Sequence, residues 1–203
     1  MVHCFCREMI MKLFCLILIL LIGYTALFFV IYALYSFLKC GCGRFAPYVP
    51  SVGKAKDCML ACARKKLQNA SMPITIIDMG SGTGSLLIPL AREFPQHHFI
   101  GLEWDKVPYL IARFKSKKLQ NIQWRCENFM NYPCQTADII FCYILKSAQN
   151  RVGQKLANEI KDDCLVISEL FTLPQLEQFK QYKTTIGVPV YLFRKKMSSK
   201  RSS

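Results

Sequence analysis

Residues 76–85 read IIDMGSGTGS, and this short stretch is the most informative part of the chain. An apolar run ends in Asp78, and three glycines then follow at alternate positions, Gly80, Gly82 and Gly84. Glycine is required where a backbone turns sharply and approaches a ligand without a Cβ atom in the way. In an open α/β sheet the ligand lies beyond the carboxyl ends of the strands. We therefore predict a strand, a ligand-binding loop and a helix, in that order.

The chain beyond residue 73 alternates short apolar runs with amphipathic stretches of helical length. The pattern predicts strands over residues 74–79, 98–102, 122–126, 137–145 and 164–170, and helices over residues 85–94, 107–118 and 152–161. It also predicts a short helix over residues 173–181 and closing strands over residues 184–186 and 188–193. Strands that alternate with helices indicate an α/β fold, here a Rossmann-like sheet with parallel strands and right-handed crossovers.

The glycine spacing and a second carboxylate narrow the ligand class. Dinucleotide-binding sheets use G-x-G-x-x-G, whereas this loop reads Gly80-x-Gly82-x-Gly84 after Asp78. Glu103 ends the second predicted strand, and a carboxylate at that place can accept hydrogen bonds from both ribose hydroxyls. The alternative is a glycine-rich turn without a ligand, with Glu103 as a solvated surface charge. The ordered context of strand, acid, glycines, helix, strand and acid favours a binding site.

Residues 13–38 contain no charged side chain and are bounded by Lys12 and Lys39. About 20 apolar residues suffice for a helix to cross a bilayer, so we predict a transmembrane helix. The alternative is a cleaved signal peptide, whose apolar region is only about 7–15 residues long. More basic residues follow the run than precede it, and the positive-inside rule therefore places the remainder of the chain on the cytoplasmic or matrix-equivalent side.

Lys and Arg outnumber Asp and Glu by 27 to 13, giving a formal net charge of +14. Such a surface attracts anionic lipid or nucleic acid. The basic residues are not interleaved with an aromatic binding surface, so we expect the membrane bilayer as a partner and no nucleic acid. The eleven cysteines lack metal-ligand spacing, which predicts no bound metal, and the six that follow residue 42 are expected to be reduced, apolar side chains. The sequence leaves the oligomeric state open.

The loop after Asp78 resembles motif I of the class I S-adenosylmethionine-dependent methyltransferases. The resemblance implies S-adenosyl-L-methionine as cofactor, with Asp78 near its ammonium group and the loop passing under its amino-acid part. An acidic or amide residue after the third strand lies beside the adenine amine in this class, and either Glu127 or Asn128 fills that place. The implied cofactor-binding residues are Asp78, Gly80, Ser81, Gly82, Gly84, Glu103, Glu127 and Asn128.

A closer resemblance comes from the apolar run, the segment Pro47-Tyr48-Val49-Pro50 and the glycine loop taken together. This order is similar to the membrane-anchored protein-lysine methyltransferases that act on the ATP synthase c-subunit and the adenine nucleotide translocator. It implies a membrane-associated protein substrate and a pocket-forming role for Tyr48, for which the alternative is an interfacial aromatic anchor beside the bilayer. Tyr143, after the fourth strand, is a second pocket candidate. Thr83 departs from the family, which commonly has an acidic residue there. The sequence does not identify the group that deprotonates the acceptor.

These observations predict five parts: an N-terminal segment (1–12), a transmembrane helix (13–38), a linker and pre-domain helix (39–72), a methyltransferase domain (73–196) and a basic tail (197–203). Three functions fit them. The first is a protein-lysine methyltransferase. The second is a methyltransferase of a lipid or quinone-like acceptor, which the anchor suits equally well. The third is a non-catalytic membrane module that keeps the S-adenosylmethionine fold.

Overall fold

The computed structural model describes residues 2–41, 53–143, 145–184 and 187–196. The chain divides into two compact units, residues 1–47 and 48–203. The first unit contains helix α1 (Val2–Gly41), which extends beyond the apolar run 13–38 at both ends. Within α1, the 25 residues Met11–Tyr35 have a mean hydropathy of 2.9 and form a helix long and apolar enough to cross a membrane.

The second unit contains four helices and seven strands among the residues that the structure describes. In chain order they are α2 (Gly53–Gln68), β1 (Thr75–Met79), α3 (Leu87–Glu93), β2 (His98–Leu102), α4 (Lys106–Lys115), β3 (Ile122–Arg125), β4 (Ile139–Cys142), α5 (Gln149–Glu159), β5 (Leu165–Glu169), β6 (Glu177–Lys183) and β7 (Pro189–Arg194). Two 3₁₀ turns, Phe129–Asn131 and Lys146–Ala148, precede β4 and α5.

The seven strands form one sheet in the order β3-β2-β1-β4-β5-β7-β6. Strands β1 to β5 are parallel to their neighbours, and β7 is antiparallel to both β5 and β6. The chain moves outward from β1 to β3 and then returns to the other side of β1 as β4. This reversal between β1 and β4 is the topological switch point at which open α/β sheets bind their ligands. The Rossmann-like fold class predicted from the sequence is confirmed.

Strands β1, β4 and β5 are buried on both faces, which explains their continuous apolar runs. Ile76 and Ile77 are consecutive on β1 and both fully buried, but they belong to different core clusters on opposite faces. The buried side of α2, which includes Met59 and Ala63, contributes to the first cluster, and α5 contributes Val152 and other residues to the second. The α2 helix is thus part of the core that supports β1.

His97 joins the end of α2 to the start of β1. Its Nδ1 accepts a hydrogen bond from the Ile74 backbone N–H at 3.2 Å, which leaves Nε2 to donate to the Leu67 carbonyl oxygen, also at 3.2 Å. The ring is 1% exposed, so both polar atoms are satisfied inside the protein. We interpret His97 as a structural residue that fixes the position of the strand leading into the glycine loop.

The helix expected over residues 173–181 is wrong, because this stretch contains most of β6 and, before it, a turn closed by the Leu176 N–H donating to the Leu173 carbonyl oxygen at 3.0 Å. Strands β5 and β6 both run antiparallel to β7, so the seven residues between them must return along the full length of β5. A seven-residue helix would span only about 10 Å, whereas a five-residue strand spans about 16 Å. Leu173 and Leu176 are buried at a spacing of three, which mimicked a helical pattern.

The strand expected over residues 184–186 lies mostly outside the described residues. Thr184 lies beyond the end of β6, and residues 185 and 186 fall outside the described part of the chain. The second closing strand is β7, Pro189–Arg194, close to the expected residues 188–193. Alternation within the polar sequence of β6 is weak because this edge strand is largely exposed, so the apolar pattern gave little information there.

Candidate active site

The glycine loop leaves β1 at its carboxyl end and leads into α3. Gly80, Gly82 and Gly84 have positive φ angles of 95°, 54° and 80°, a backbone region that L side chains rarely adopt. The backbone N–H groups of Gly80 and Ser81 both donate to the Leu102 carbonyl oxygen at 2.9 Å, which ties the loop to the end of β2. The alternate glycines therefore permit a tight turn at the switch point of the sheet.

The Trp124 side chain on β3 packs against this loop and fixes its position. Sequence reasoning missed this role. A Cβ atom built on Gly101 would lie 2.2 Å from the Trp124 ring, and one built on Gly84 would lie 2.7 Å from it. The indole Nε1 donates to the Ser116 hydroxyl at 2.7 Å, which holds the ring in place. Two of the glycines near the site are thus required by the ring of Trp124.

Glu103 connects the tip of β2 to the glycine loop. Its Oε2 accepts a hydrogen bond from the Gly82 N–H, and its Oε1 accepts one from the Asp105 N–H, each at 2.8 Å. Burial raises the pKa of Glu103, and these backbone hydrogen bonds oppose that change. The structure therefore brings together two residues, Gly82 and Glu103, that the sequence had assigned separately to the cofactor site.

Asp78 is a buried carboxyl group at the end of β1, with 5% of its surface exposed. Burial, and then the nearby charge of Glu103, raise the pKa of Asp78 to about 8. A carboxylate in this position is stabilised by a positive partner, because an opposite charge favours the ionised form. S-adenosylmethionine carries positive charge at its sulfonium and ammonium groups, so a pair of carboxylates at the loop fits its chemistry.

Two further observations describe the surroundings of the glycine loop. A Cβ atom at Gly80 would meet nothing within 4 Å, so the space beside this backbone is open. The Ser81 hydroxyl oxygen is buried and has no hydrogen-bond partner within the described residues. Buried polar groups are nearly always paired, but this oxygen lies toward Gly101 and Trp124, so the open space at Gly80 is the observation that fits a ligand. The residues that would hold S-adenosylmethionine are Asp78, the glycine loop and Glu103.

Glu127 and Asn128 follow β3, next to the strand that carries Glu103. The Glu103 backbone N–H donates to the Arg125 carbonyl oxygen at 3.0 Å, which joins the tips of β2 and β3. Asn128 begins the 3₁₀ turn, and its Oδ1 accepts from the Met130 N–H at 2.9 Å. Glu127 is half-buried and makes no such turn contact in the described part of the chain. Both residues stay predictions for the adenine-binding position.

The tips of β4 and β5 bring Tyr143 and Glu169 to the same edge of the sheet. Cys142 is the register partner of Met79 on one side and of Ser168 on the other, so Tyr143 and Glu169 each follow a paired strand end. Glu169 is 6% exposed. Burial raises the pKa of Tyr143, and the charge of Glu169 adds to this effect. Sequence reasoning missed Glu169, although its position after an apolar strand is the signal that identified Asp78.

One predicted pocket residue lies outside the described part of the chain. Tyr48 and the Pro47–Pro50 segment fall outside the described residues, so the proposed pocket role of Tyr48 stays a prediction.

Among the residues that the structure describes, no group of three or more His, Cys, Asp or Glu side chains could hold a metal ion. The buried Cys142 has its pKa raised to about 12, chiefly by burial, and is therefore a protonated thiol rather than a nucleophile.

Residues 78–180, slightly more than half of the chain, match the model of the ANTKMT methyltransferase domain. The chain belongs to this family. The matched region runs from Asp78 to residue 180 and includes the glycine loop, Glu103 and the β5 tip. This match confirms the resemblance to class I methyltransferases of the ANTKMT type. No curated protein matches the chain in sequence.

Solved structures of methyltransferases share the fold of the ANTKMT-type domain. An RNA methyltransferase from Salinibacter ruber, in complex with S-adenosyl-L-homocysteine, has a TM-score of 0.65 at 20% identity, covering 75% of this chain and 97% of that chain. A ribosomal protein L11 methylase from Lactobacillus delbrueckii subsp. bulgaricus has a TM-score of 0.57 at 14% identity, covering 72% and 81%. Magnesium protoporphyrin IX methyltransferase from Synechocystis PCC 6803, with bound S-adenosylmethionine, has a TM-score of 0.54 at 12% identity, covering 73% and 87%.

The family match and these neighbours together establish the reaction class and the cofactor. The protein is an S-adenosylmethionine-dependent methyltransferase, and S-adenosylmethionine is its cofactor. The neighbours are named for different acceptors, namely an RNA, a ribosomal protein and a porphyrin. The shared fold therefore does not specify the acceptor, which has to be inferred from the residues of the site itself.

Proposed function

We propose that this protein is anchored in a membrane by residues 13–38 and methylates a lysine side chain of a protein at the same membrane. The observation that carries the lysine assignment is the buried carboxyl group of Glu169, beside Tyr143 at the tips of β4 and β5. A carboxyl group at the tips of β4 and β5, beside the switch point, favours a methyl acceptor that is positively charged, as a lysine ammonium is. The ANTKMT family match supports the same acceptor class.

The chemistry requires the protein to bind, orient and deprotonate an amine. S-adenosylmethionine, when bound, supplies a methyl group activated by positively charged sulfur. A lysine ammonium has no lone pair, so it must lose a proton before its nitrogen can form the new bond to carbon. We assign Glu169 the role of orienting the ammonium and lowering the cost of burying it, since an opposite charge compensates for lost hydration. Positioning then supplies most of the rate.

The membrane assignment is supported by helix α1. The stretch Met11–Tyr35 is apolar enough to span a bilayer, and in lipid a helix satisfies its own backbone hydrogen bonds. Basic residues are more numerous after the apolar run than before it, which favours a domain on the cytoplasmic or matrix-equivalent side. A lysine substrate in or against the same bilayer would meet the domain at a high effective concentration.

The test uses full-length protein in membranes incubated with S-adenosylmethionine labelled in its methyl group. We expect label in a membrane-associated protein, recovered as methyl-lysine after hydrolysis, and none when Asp78 is replaced by Asn. Asp162→Asn is the matched control, because the Asp162 side chain is 93% exposed and far from the loop in sequence. Label in extractable lipid would instead identify a lipid or quinone-like acceptor. Absence of label despite measured cofactor binding would contradict both acceptor classes.

A further inference from the structure

Helix α4 presents an apolar face to solvent, on the side opposite the one that packs on the sheet. Pro108 and Ala112 are buried, whereas the residues at the helical spacing i, i+3, i+4 and i+7 on the other side are exposed. We call this surface the α4 apolar face, and it consists of Val107, Leu110, Ile111 and Phe114 on the helix together with the exposed Trp104, two residues before the helix begins. An amphipathic helix normally buries its apolar stripe, so an exposed one indicates an interaction site.

Exposed apolar side chains are concentrated on this face. Within the described part of the second unit, nine large apolar side chains are exposed, and five of them belong to the α4 apolar face. Phe114 is 72% exposed and Leu110 is 57% exposed, so both extend well beyond the protein surface. The remaining four, Met72, Leu145, Leu170 and Phe179, are separated along the chain and form no comparable stripe.

The border of this face is strongly basic. Residues 104–118 contain five basic residues and a single acidic one, Asp105. The five are Lys106, Arg113, Lys115, Lys117 and Lys118, and all are exposed. Asp105 is committed to the start of α4, where its carboxylate accepts from the Val107 N–H at 3.0 Å. Two of the bases lie over aromatic rings, Lys117 over Phe114 and Arg113 over Tyr109.

We infer that the α4 apolar face docks on the surface of an anionic lipid bilayer. An apolar stripe with Trp and Phe, bordered by Lys and Arg, is the pattern of helices that lie in the membrane interface. Each basic residue near an anionic surface contributes about 1 kcal/mol. This inference rests on the proposed anchoring, because α1 would hold the domain close to lipid. Only the eleven residues 42–52 separate α1 from α2, and a fully extended chain of that length spans at most about 40 Å.

Docking through α4 would bring the candidate active site to the bilayer. The backbone N–H of Asp105 donates to Glu103 at 2.8 Å, so the start of α4 is fixed to the proposed ribose-binding carboxylate. Trp104, the first residue of the docking face, directly follows Glu103. A lysine at the membrane surface would therefore approach the glycine loop without leaving the interface. The docking thus adds to the proposed function that the acceptor lysine lies at the lipid surface.

The chain offers an intrinsic probe of this docking, because it contains only two tryptophans, Trp104 and Trp124. Full-length protein is reconstituted into vesicles of phosphatidylcholine and phosphatidylserine, with or without bromine on the phosphatidylcholine acyl chains, which quenches nearby indole fluorescence. We expect quenching of the wild-type emission and loss of that quenching in Trp104→Phe, which retains the core residue Trp124. The Leu110→Glu/Phe114→Glu variant should also escape quenching while keeping its thermal unfolding temperature in detergent.

The control variant is Phe179→Glu, which alters an exposed apolar residue on β6, at the edge of the sheet opposite β3. It should be quenched like the wild type. Replacing Lys117 and Lys118 by Gln should lower the ratio of docked to undocked domain about fivefold for each lysine. Equal emission with and without bromine in the wild type, or equal quenching in the Leu110→Glu/Phe114→Glu variant, would overturn the inference.

If the α4 apolar face binds RNA or a second copy of the chain rather than lipid, the same experiments should give different results. A face that serves RNA or a second copy of the chain would leave Trp104 unquenched, while the double glutamate variant would lose RNA or become monomeric. Failure of anchoring is distinguished separately, because alkaline carbonate would then extract the chain from the vesicles. Failure of the lysine assignment would not alter the fluorescence, since this measurement needs no acceptor.

Discussion

The indole ring of Trp124 covers the α-carbon of Gly101, so that a Cβ atom at residue 101 would lie 2.2 Å from the ring. Gly101 is on β2 with an ordinary strand conformation, and only space forbids a side chain there. The same ring reaches Gly84 at the end of the glycine loop, and a Gly101 side chain would also approach the Ser81 hydroxyl at 2.9 Å. The Trp124 ring therefore constrains both β2 and the glycine loop.

Gly101→Ala should displace Trp124 and disturb the loop. We expect a loss of about 1–3 kcal/mol in the free energy of unfolding, which is typical of overpacking. For a chain of this size that corresponds to a fall in Tm of about 2–4 °C per kcal/mol. Calorimetry and titration with S-adenosylmethionine measure the two effects.

The control for this prediction is a double-mutant cycle. If the ring is the obstacle, adding Gly101→Ala to a Trp124→Leu protein should cost little further stability, because Leu leaves the space free. An equal penalty in both backgrounds would show that the clash with Trp124 is not the cause.

Asp78→Asn should stabilise the cofactor-free protein at neutral and alkaline pH. The pKa of Asp78 is about 8 in the folded protein against an ordinary value of 3.8, so between these values the folded form holds more protons than the unfolded form. Stability then falls as pH rises through that interval. The variant lacks this loss, and its Tm should exceed that of the wild type most clearly at pH 8 and above. A lower Tm of the variant at that pH would contradict the burial argument.

Cofactor binding at pH 7 should release close to one proton from the wild-type protein. Asp78 is largely protonated at that pH before binding, and a positively charged ligand beside it lowers its pKa. Titration calorimetry in two buffers with different ionisation enthalpies measures the number of protons directly. Asp78→Asn protein that still binds should show no such release, and equal release in both proteins would assign the proton to another group.

Glu103→Gln should weaken cofactor binding about tenfold or more, in line with about 1.5–3 kcal/mol for a hydrogen bond to a charged group. Both oxygens of Glu103 accept backbone N–H groups, and an amide would present a donor to one of them. The measurement is the Kd of S-adenosylmethionine. Asp162→Asn serves as the exposed control, and an unchanged Kd in Glu103→Gln would remove this residue from the site.

Glu169→Gln should separate acceptor handling from cofactor binding. We expect an unchanged Kd for S-adenosylmethionine and a methylation rate lower by about a hundredfold, the cost of a misplaced reactant. Because Glu169 raises the pKa of Tyr143, the Tyr143 titration should also move down in the variant. A normal rate with a changed tyrosine titration would mean that Glu169 is near the site without serving the acceptor.

The sequence identified the fold class and the cofactor because both depend on local patterns. Buried parallel strands are continuous apolar runs, and the Asp78 loop needs glycines at alternate positions whatever lies elsewhere. The predicted helix over residues 173–181 failed because a spacing of three between Leu173 and Leu176 fits both a helix and a single turn that leads into a strand.

The sequence by itself thus determined the order of strands and helices as far as β5, the glycine loop and the two carboxylates that flank it. Tertiary structure alone decided which strands are neighbours, and so placed Trp124 under Gly101 and Glu169 beside Tyr143. It also decided that Asp78 is buried near Glu103, which raises its pKa, and that the α4 apolar face stays exposed. The physical reason is that burial and charge proximity join residues far apart in the chain, whereas a sequence pattern reports only spacing along it.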